Sequence, residues 1–315
     1  MASLMARLTP SLTPHELKAR LASGLLAFPA TDFDAGDALD TRASAARLEW
    51  LAGYRPAAFF MAGGAGEFFS LTAEEYGALI ASAAKSRAGG IPVLGAAGYG
   101  TRMAVAYAQE TERHGAGGLL LLPPYLTEAP QEGLAAHIEA VCKATAIGVV
   151  VYNRANCRLQ AETLARLAEA CPNLVGFKDG IGDTDENMRI RGLLGDRLVY
   201  LNGMPTAETY APAFAAQGFA SYSSAIFNFV PRTAIDVHRA VYGGDAAIFA
   251  RFEQEFLIPY VAIRARQPGY AVSIVKAGAA IVGRGAGKVR PPLTDLTPAD
   301  HEALRALIAK LGPQD

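Results

Sequence analysis

Residues 148–179 read GVVVYNRANCRLQAETLARLAEACPNLVGFKD, and this stretch decides the fold. It opens on GVVVY (148–152) and closes on LVGFKD (174–179), two short runs that are apolar on consecutive positions. Runs of that kind mark strands covered on both faces, as in a parallel sheet. Between them AETLARLAEA (161–170) sets Leu164, Leu167 and Ala168 on one stripe of a helix. Strand, helix and strand make one β/α/β unit.

The same alternation extends outward in both directions. Toward the N-terminus lie GLLAF (24–28), AAFFM (57–61), IPVLG (91–95) and GLLLL (118–122); toward the C-terminus lie LVYLN (198–202) and GFASYS (218–223). Each is too short for a globular helix, and the segments between them are rich in Ala, Leu and Glu. One, LTAEEYGALIASAAKS (71–86), starts with Thr72 and carries Glu75 three residues on, the signature of a capping box. Eight strand candidates, each followed by a helix, predict an α/β fold, a (β/α)8 TIM barrel. The alternative, an open doubly wound sheet, more often uses fewer strands and a Gly-rich first turn. After residue 230 the strand signal stops. The remaining segments, including VSIVKAGAAIVG (272–283) and PADHEALRALIAKL (298–311), have helical patterns. The expected organisation is a barrel over residues 1–235 and a helical extension over 236–315, packed on the barrel.

Composition narrows the classes of function. The chain has 315 residues, 51% apolar and 19% charged, enough for a large core. A formal net charge of −1 gives no reason to expect nucleic acid or a membrane surface as partner. The start, MASLMARLTPSLTPHEL, has no continuous apolar run and is broken by Pro10 and Pro14, and no long apolar span follows. Cys142, Cys157 and Cys171 form no CxxC motif, which suits reduced thiols in the cytoplasm.

In a barrel of this kind the active site lies at the C-terminal ends of the strands, so reactive side chains there come first. Two strands carry them: GVVVY ends on Tyr152, and LVGFKD carries Lys178. Burial of a lysine among apolar neighbours favours its neutral amine, the form that attacks a ketone to give an imine. The alternative is an ion pair of Lys178 with Asp179, or a lysine that snorkels at a strand end. Tyr152 reads either as a proton shuttle or as a strand-ending tyrosine bonded to a loop. Directly after AAFFM, Gly63-Gly64-Ala65-Gly66-Glu67 forms a turn whose backbone N–H groups can converge on a carboxylate.

Other motifs fail. GRGAGKV (283–289) lacks the Ser or Thr and the preceding strand of a P-loop. DTDEN (183–187) starts like a calcium loop, but Met188 stands where Gly is needed. His15-Glu16 and His301-Glu302 have no second His for zinc, and no GxSxG elbow occurs. No metal or organic cofactor is expected.

Taken together, the ordered set GGAGE (63–67), GAGGLLLLPPY (115–125), YN (152–153), GFKD (176–179) and VRPPL (289–293) resembles the dihydrodipicolinate synthase / N-acetylneuraminate lyase family of lysine aldolases. The resemblance runs from about residue 20 to the C-terminus. It implies that Lys178 is the imine lysine and Tyr152 the proton-shuttling tyrosine. It also implies a homotetramer built as a dimer of dimers. GGAGEFFSLT (63–72), YNRANC (152–157), FKDGIGD (177–183), NGMPTAE (202–208) and SYSSAIFNFVP (221–231) look like a branch that dehydrates and decarboxylates a six-carbon keto diacid. In the synthase branch the turn carries two hydroxyl residues and an aromatic pair follows the fourth strand. Here Gly64 and Ala65 lack hydroxyls and Leu126 follows Tyr125, so a tyrosine relay between subunits is not expected. Ala65 also departs from the dehydratase branch, which has Thr at that position.

On this reading the substrate is a small keto diacid whose carboxylate beside the imine meets the Gly63, Gly64 and Ala65 turn. Candidates for the carboxylate that departs are Arg154, Asn202, Thr206, Ser223 and Ser224, each of which also suits a capping or turn role. A class I aldolase that releases pyruvate from a 2-keto-3-deoxy sugar acid would use the same lysine and tyrosine. A barrel that senses a keto acid without catalysis is the remaining class.

Overall fold

The computed structural model describes residues 12–86, 88–125, 128–312 and 314. Eight parallel strands close into a barrel in chain order: β1 (Leu26–Ala27), β2 (Ala58–Phe60), β3 (Val93–Ala97), β4 (Gly118–Leu121), β5 (Gly148–Asn153), β6 (Leu174–Asp179), β7 (Val199–Asn202) and β8 (Ser221–Ser224). All eight lie on the predicted apolar runs, with ends shifted by up to three residues. β3, β5 and β8 each extend beyond the predicted run, to Ala97, Asn153 and Ser224.

Alternation along the strands divides the core in two. Leu26, Phe28, Ala58, Phe60, Leu94, Leu120, Val150, Tyr152, Val199 and Leu201 belong to one buried cluster, the barrel interior. The intervening residues, such as Ala27, Phe59, Val149, Val151, Phe177 and Tyr200, join a larger cluster with the surrounding helices. That is the period of two expected of strands covered on both faces.

The N-terminal end of the barrel is plugged by the helix Pro14–Leu21. Its start is fixed by a capping box in which Thr13 and Glu16 satisfy each other's backbone N–H. Leu17 and Leu21 are fully buried and complete the interior cluster. Glycines open β4 and β5 to admit them: Leu17 lies against Gly118, and a Cβ on Gly148 would come within 2.7 Å of Leu17 Cδ2. From sequence, Pro14 reads only as a break near the N-terminus. In the fold it is the first residue of this plug.

The expected capping box at residue 72 is formed, with Thr72 N–H on Glu75 and Glu75 N–H on Thr72 Oγ1. DTDEN serves as a helix start, Asp183 accepting from the Glu186 N–H. The division drawn at 235/236 falls inside a helix. The helix after β8 runs Pro231–Gly243 and ends where Gly244 takes a left-handed φ of 78°, so it completes the eighth β/α unit. Beyond it, Ala246–Phe252, Ile258–Arg264, Tyr270–Ile281 and Pro298–Ala309 are helical and share the outer core with the barrel. Among the described residues no helix is long and apolar enough to cross a membrane.

The plug leads to a prediction for stability. Leu17→Ala leaves a cavity at the closed end and is expected to lower unfolding free energy by about 2–5 kcal/mol, read by chemical denaturation. Imine chemistry at the far end of the barrel should survive. A loss under about 1 kcal/mol would show that the helix does not complete the core.

Candidate active site

Lys178 and Tyr152 are register partners on neighbouring strands, and Leu201 faces Lys178 from the other side. Alternation points all three into the barrel. Lys178 is 3% exposed, and its Nζ sits 3.6 Å from the centroid of the Tyr152 ring and 5.2 Å from that of Phe28. Phe28 in turn stacks on Phe60 at 4.6 Å. An amine between two aromatic rings has lost most of its water. Burial lowers the Lys178 pKa below that of a free lysine, against the opposing pull of Tyr152.

One residue further along, the same alternation turns every side chain outward. Asp179 pairs in register with Asn153 and Asn202. Its fully buried carboxylate accepts from the side chains of Asn153 and Asn187 and from the N–H groups of Ile181 and Gly182, at 2.9–3.0 Å. The alternative pairing of Lys178 with Asp179 is therefore not made. Asp179 instead braces the loop after β6.

Tyr152 is held at its hydroxyl. It donates to the Gly203 carbonyl at 2.6 Å and accepts from Arg154 Nη1 at 2.8 Å. Burial raises its pKa, but the charges of Lys178 and Arg154 outweigh burial and bring it below the usual tyrosine value. The arginine itself is fixed by paired backbone bonds with Cys157 across a tight turn, where Ala155 has φ 52°.

Two glycines form the wall behind this pair. A Cβ on Gly203 would fall 2.7 Å from both Lys178 Nζ and Tyr152 Cε2, and one on Gly180 would fall 2.9 Å from Tyr152 Cε2. Sequence reasoning passed over both. The available signal was a glycine directly after a strand, in FKDG and in NGM.

The Gly-rich turn reaches the lysine through Phe28, since a Cβ on Gly63 would lie 2.6 Å from the Phe28 ring. Gly64 is exposed and Ala65 half-buried. Among the described residues, the N–H groups of Gly63, Gly64 and Ala65 make no hydrogen bond within the chain.

Of the polar candidates, the fold brings Arg154 and Ser223 to the lysine side. Ser223 is half-buried and pairs in register with inward-facing Leu26. Three others are committed to scaffolding. Asn202 is fully buried, donating to the Ala207 carbonyl and accepting from the Met204 N–H. Ser224 donates to buried Glu208 at 2.6 Å and accepts from the Phe227 N–H. Thr206, with φ 52°, accepts from Arg264. Leu126 lies outside the described residues, while Tyr125 is 63% exposed and contacts the Tyr99 ring.

Comparison with known proteins adds to this geometry. The model of the dihydrodipicolinate synthetase family matches residues 21–311. The 5-dehydro-4-deoxyglucarate dehydratase of Pseudomonas putida is 55% identical over 303 residues, covering 96% of this chain and 100% of that protein. A Pseudomonas entomophila protein named "Probable 5-dehydro-4-deoxyglucarate dehydratase" is 57% identical, covering 96% of this chain and 99% of its own. In fold, the chain is similar to the crystal structure of dihydrodipicolinate synthase from Oceanobacillus iheyensis. The TM-score is 0.86 at 21% identity, with 95% of this chain and 99% of that one covered.

The glycine wall gives a direct test. Gly203→Ala places a methyl group against both Lys178 and Tyr152, and reductive trapping of a keto acid on Lys178 should fall by at least roughly 10²-fold in a folded protein. Trapping at the wild-type rate would mean that the loop yields and the wall has no role.

Proposed function

The chain belongs to the dihydrodipicolinate synthetase family, and we propose that it converts 5-dehydro-4-deoxyglucarate to 2,5-dioxopentanoate, water and CO2. One observation carries the chemistry: a buried lysine, its amine on the face of Tyr152, at the C-terminal end of a barrel strand. The substrate follows from similarity over nearly the whole chain to the Pseudomonas putida dehydratase.

In this reading the neutral amine of Lys178 attacks the C5 ketone, and loss of water gives a protonated imine. The imine is the electron sink that a metal or organic cofactor would otherwise provide. It acidifies C4, from which Tyr152 relays a proton, and the resulting enamine expels the C3 hydroxyl as water. The new C3=C4 double bond extends the sink to C2, so the C1–C2 bond breaks and CO2 leaves. Protonation and hydrolysis free the product and the lysine. Arg154 holds the Tyr152 oxygen and keeps the phenol ready to give and take a proton.

The two carboxylates are treated differently. The one beside the imine is held by the free N–H groups of Gly63, Gly64 and Ala65. The one that departs meets Ser223 and the unbonded Nε and Nη2 of Arg154, which suit a carboxylate. Asn202, Thr206 and Ser224 act one step back, by shaping the loops after β7 and β8.

We also infer a cytoplasmic homotetramer. Phe69, Met103, Tyr125, Met188 and Leu193 are each 47–68% exposed, more large apolar surface than an isolated barrel needs to show. Three free, buried thiols suit a reducing compartment.

Incubation with 5-dehydro-4-deoxyglucarate should release both water and CO2, identified by product mass. Release of pyruvate would move the protein to the aldolase reading. Lys178→Arg should abolish turnover, and full turnover in that variant would sink the imine mechanism. Because burial depresses the lysine, its neutral fraction persists to lower pH than in a free amine. Cyanoborohydride trapping should therefore rise with pH through a midpoint below the ordinary ~10.4; a midpoint at that value would mean the amine is not desolvated.

A further inference from the structure

A second buried lysine, Lys276, lies in the C-terminal helix Tyr270–Ile281 and takes no part in the chemistry above. Its Nζ is 2.7 Å from Glu67 Oε1, donates to the Lys288 carbonyl at 2.9 Å and sits 4.2 Å from the centroid of the Phe33 ring. Glu67 ends the Gly-rich turn. It is fully buried, and its other carboxylate oxygen accepts from the Arg290 N–H at 3.0 Å.

The backbone around Glu67 needs this grip. Glu67 has φ 53° and Ala62, at the other end of the turn, has φ 52°. A side chain in that left-handed region costs free energy, so the surroundings must impose it. Gly66 packs on the Ala62 backbone, where a Cβ would come within 2.9 Å, and its carbonyl accepts from Thr31 Oγ1 at 2.6 Å. The turn is thus clamped on its inner side, while the N–H groups of Gly63, Gly64 and Ala65 are left for a ligand.

Charge supplies a second reason for the lysine. Glu67 is next to a turn that must attract a carboxylate, and unpaired it would repel one. Lys276 cancels that charge within the fold. The neighbouring Asp32 and Arg47 cancel each other through bonds of 2.6 and 3.0 Å, and the Arg290 guanidinium is taken by Glu75 and Asp37.

We propose that Glu67 and Lys276 are positioning residues for substrate recognition. Their ion pair fixes the Gly63–Ala65 turn from behind, so the C-terminal helices set the affinity for a keto acid's carboxylate without touching it. This rests on the reading that the turn binds the carboxylate beside the imine, and the test separates the two.

Cyanoborohydride trapping on Lys178 is measured against concentration of pyruvate, which has a carboxylate beside its ketone, and of acetone, which has none. The wild type should half-saturate with pyruvate at far lower concentration. In Glu67→Gln/Lys276→Met, which removes both charges and keeps their volume, the pyruvate requirement should rise roughly tenfold, the loss of about one charge-assisted hydrogen bond, with acetone unchanged. KM for the keto diacid should rise by a similar factor and kcat fall by less. Lys276→Met alone should weaken pyruvate further by leaving Glu67 unpaired; if it does not fold, the double variant still decides. Equal shifts for both ketones, or none, would overturn the positioning role. A wild type that does not prefer pyruvate would overturn the carboxylate reading of the turn, and the proposal with it.

Discussion

The alternation of side chains at the end of β6 is the constraint on which the site depends. Adjacent residues of a strand face opposite sides, so Lys178 enters the barrel while Asp179 leaves it. Had the two shared a face, the carboxylate would have held the lysine protonated, the form that cannot act as a nucleophile. Separated, each does a different task. The lysine meets two aromatic rings and loses water, and the aspartate collects four N–H donors that shape the next loop. That loop begins at Gly180, and the Asp179 carbonyl also accepts from the Gly203 N–H at 2.6 Å. The outward residue therefore builds the wall against which the inward ones pack.

Parallel strands give the barrel little rigidity beyond their ends, and the loops there are held from outside. Arg264 grips Thr206 and the Pro205 carbonyl, at the loop that carries Gly203. Lys276 grips Glu67, and Arg290 joins Glu75, Asp37 and the Ser70 carbonyl. Three basic residues beyond the last strand thus clamp the loops after β1, β2 and β7. Buried ion pairs of this kind add little net stability, but breaking one leaves a charge without compensation. Their contribution here is a fixed loop geometry.

The strands and the two residues proposed to react were legible in the sequence because their signals are local. An apolar run of five residues or a lysine within one can be seen without knowing its neighbours. The polar candidates were harder for a physical reason. Asn202 and Ser223 both stand at strand ends, yet one faces out and the other in, and a register one residue different would exchange them. Gly180 and Gly203 left only the mark of a glycine after a strand, since what makes them necessary is a tyrosine and a lysine distant in the chain. The plug helix was missed because its apolar partners are the barrel floor, assembled from strands far away in sequence. The division at 235/236 came from the loss of the strand signal, which marks the last strand and not the end of the helix that covers it.

Lysine and tyrosine alone do not choose between expelling water and breaking a carbon–carbon bond, because both start from the protonated imine and pass through an enamine. What differs is the fate of the electron pair and the group that must leave. A retro-aldol step needs a base on the hydroxyl at the carbon β to the imine, whereas dehydration needs an acid there. In this site the phenol oxygen of Tyr152 accepts from the Arg154 guanidinium, while its O–H donates to the Gly203 carbonyl. A phenol so arranged is a better acid than one without the arginine, since the phenolate it leaves is stabilised. In the proposed mechanism the same guanidinium meets the departing carboxylate, where too firm a grip would oppose the loss of CO2. Sharing Arg154 between the phenol and the carboxylate limits that grip. On the proposed assignment the tyrosine–arginine pair favours dehydration before decarboxylation, the order in which each step creates the electron sink for the next.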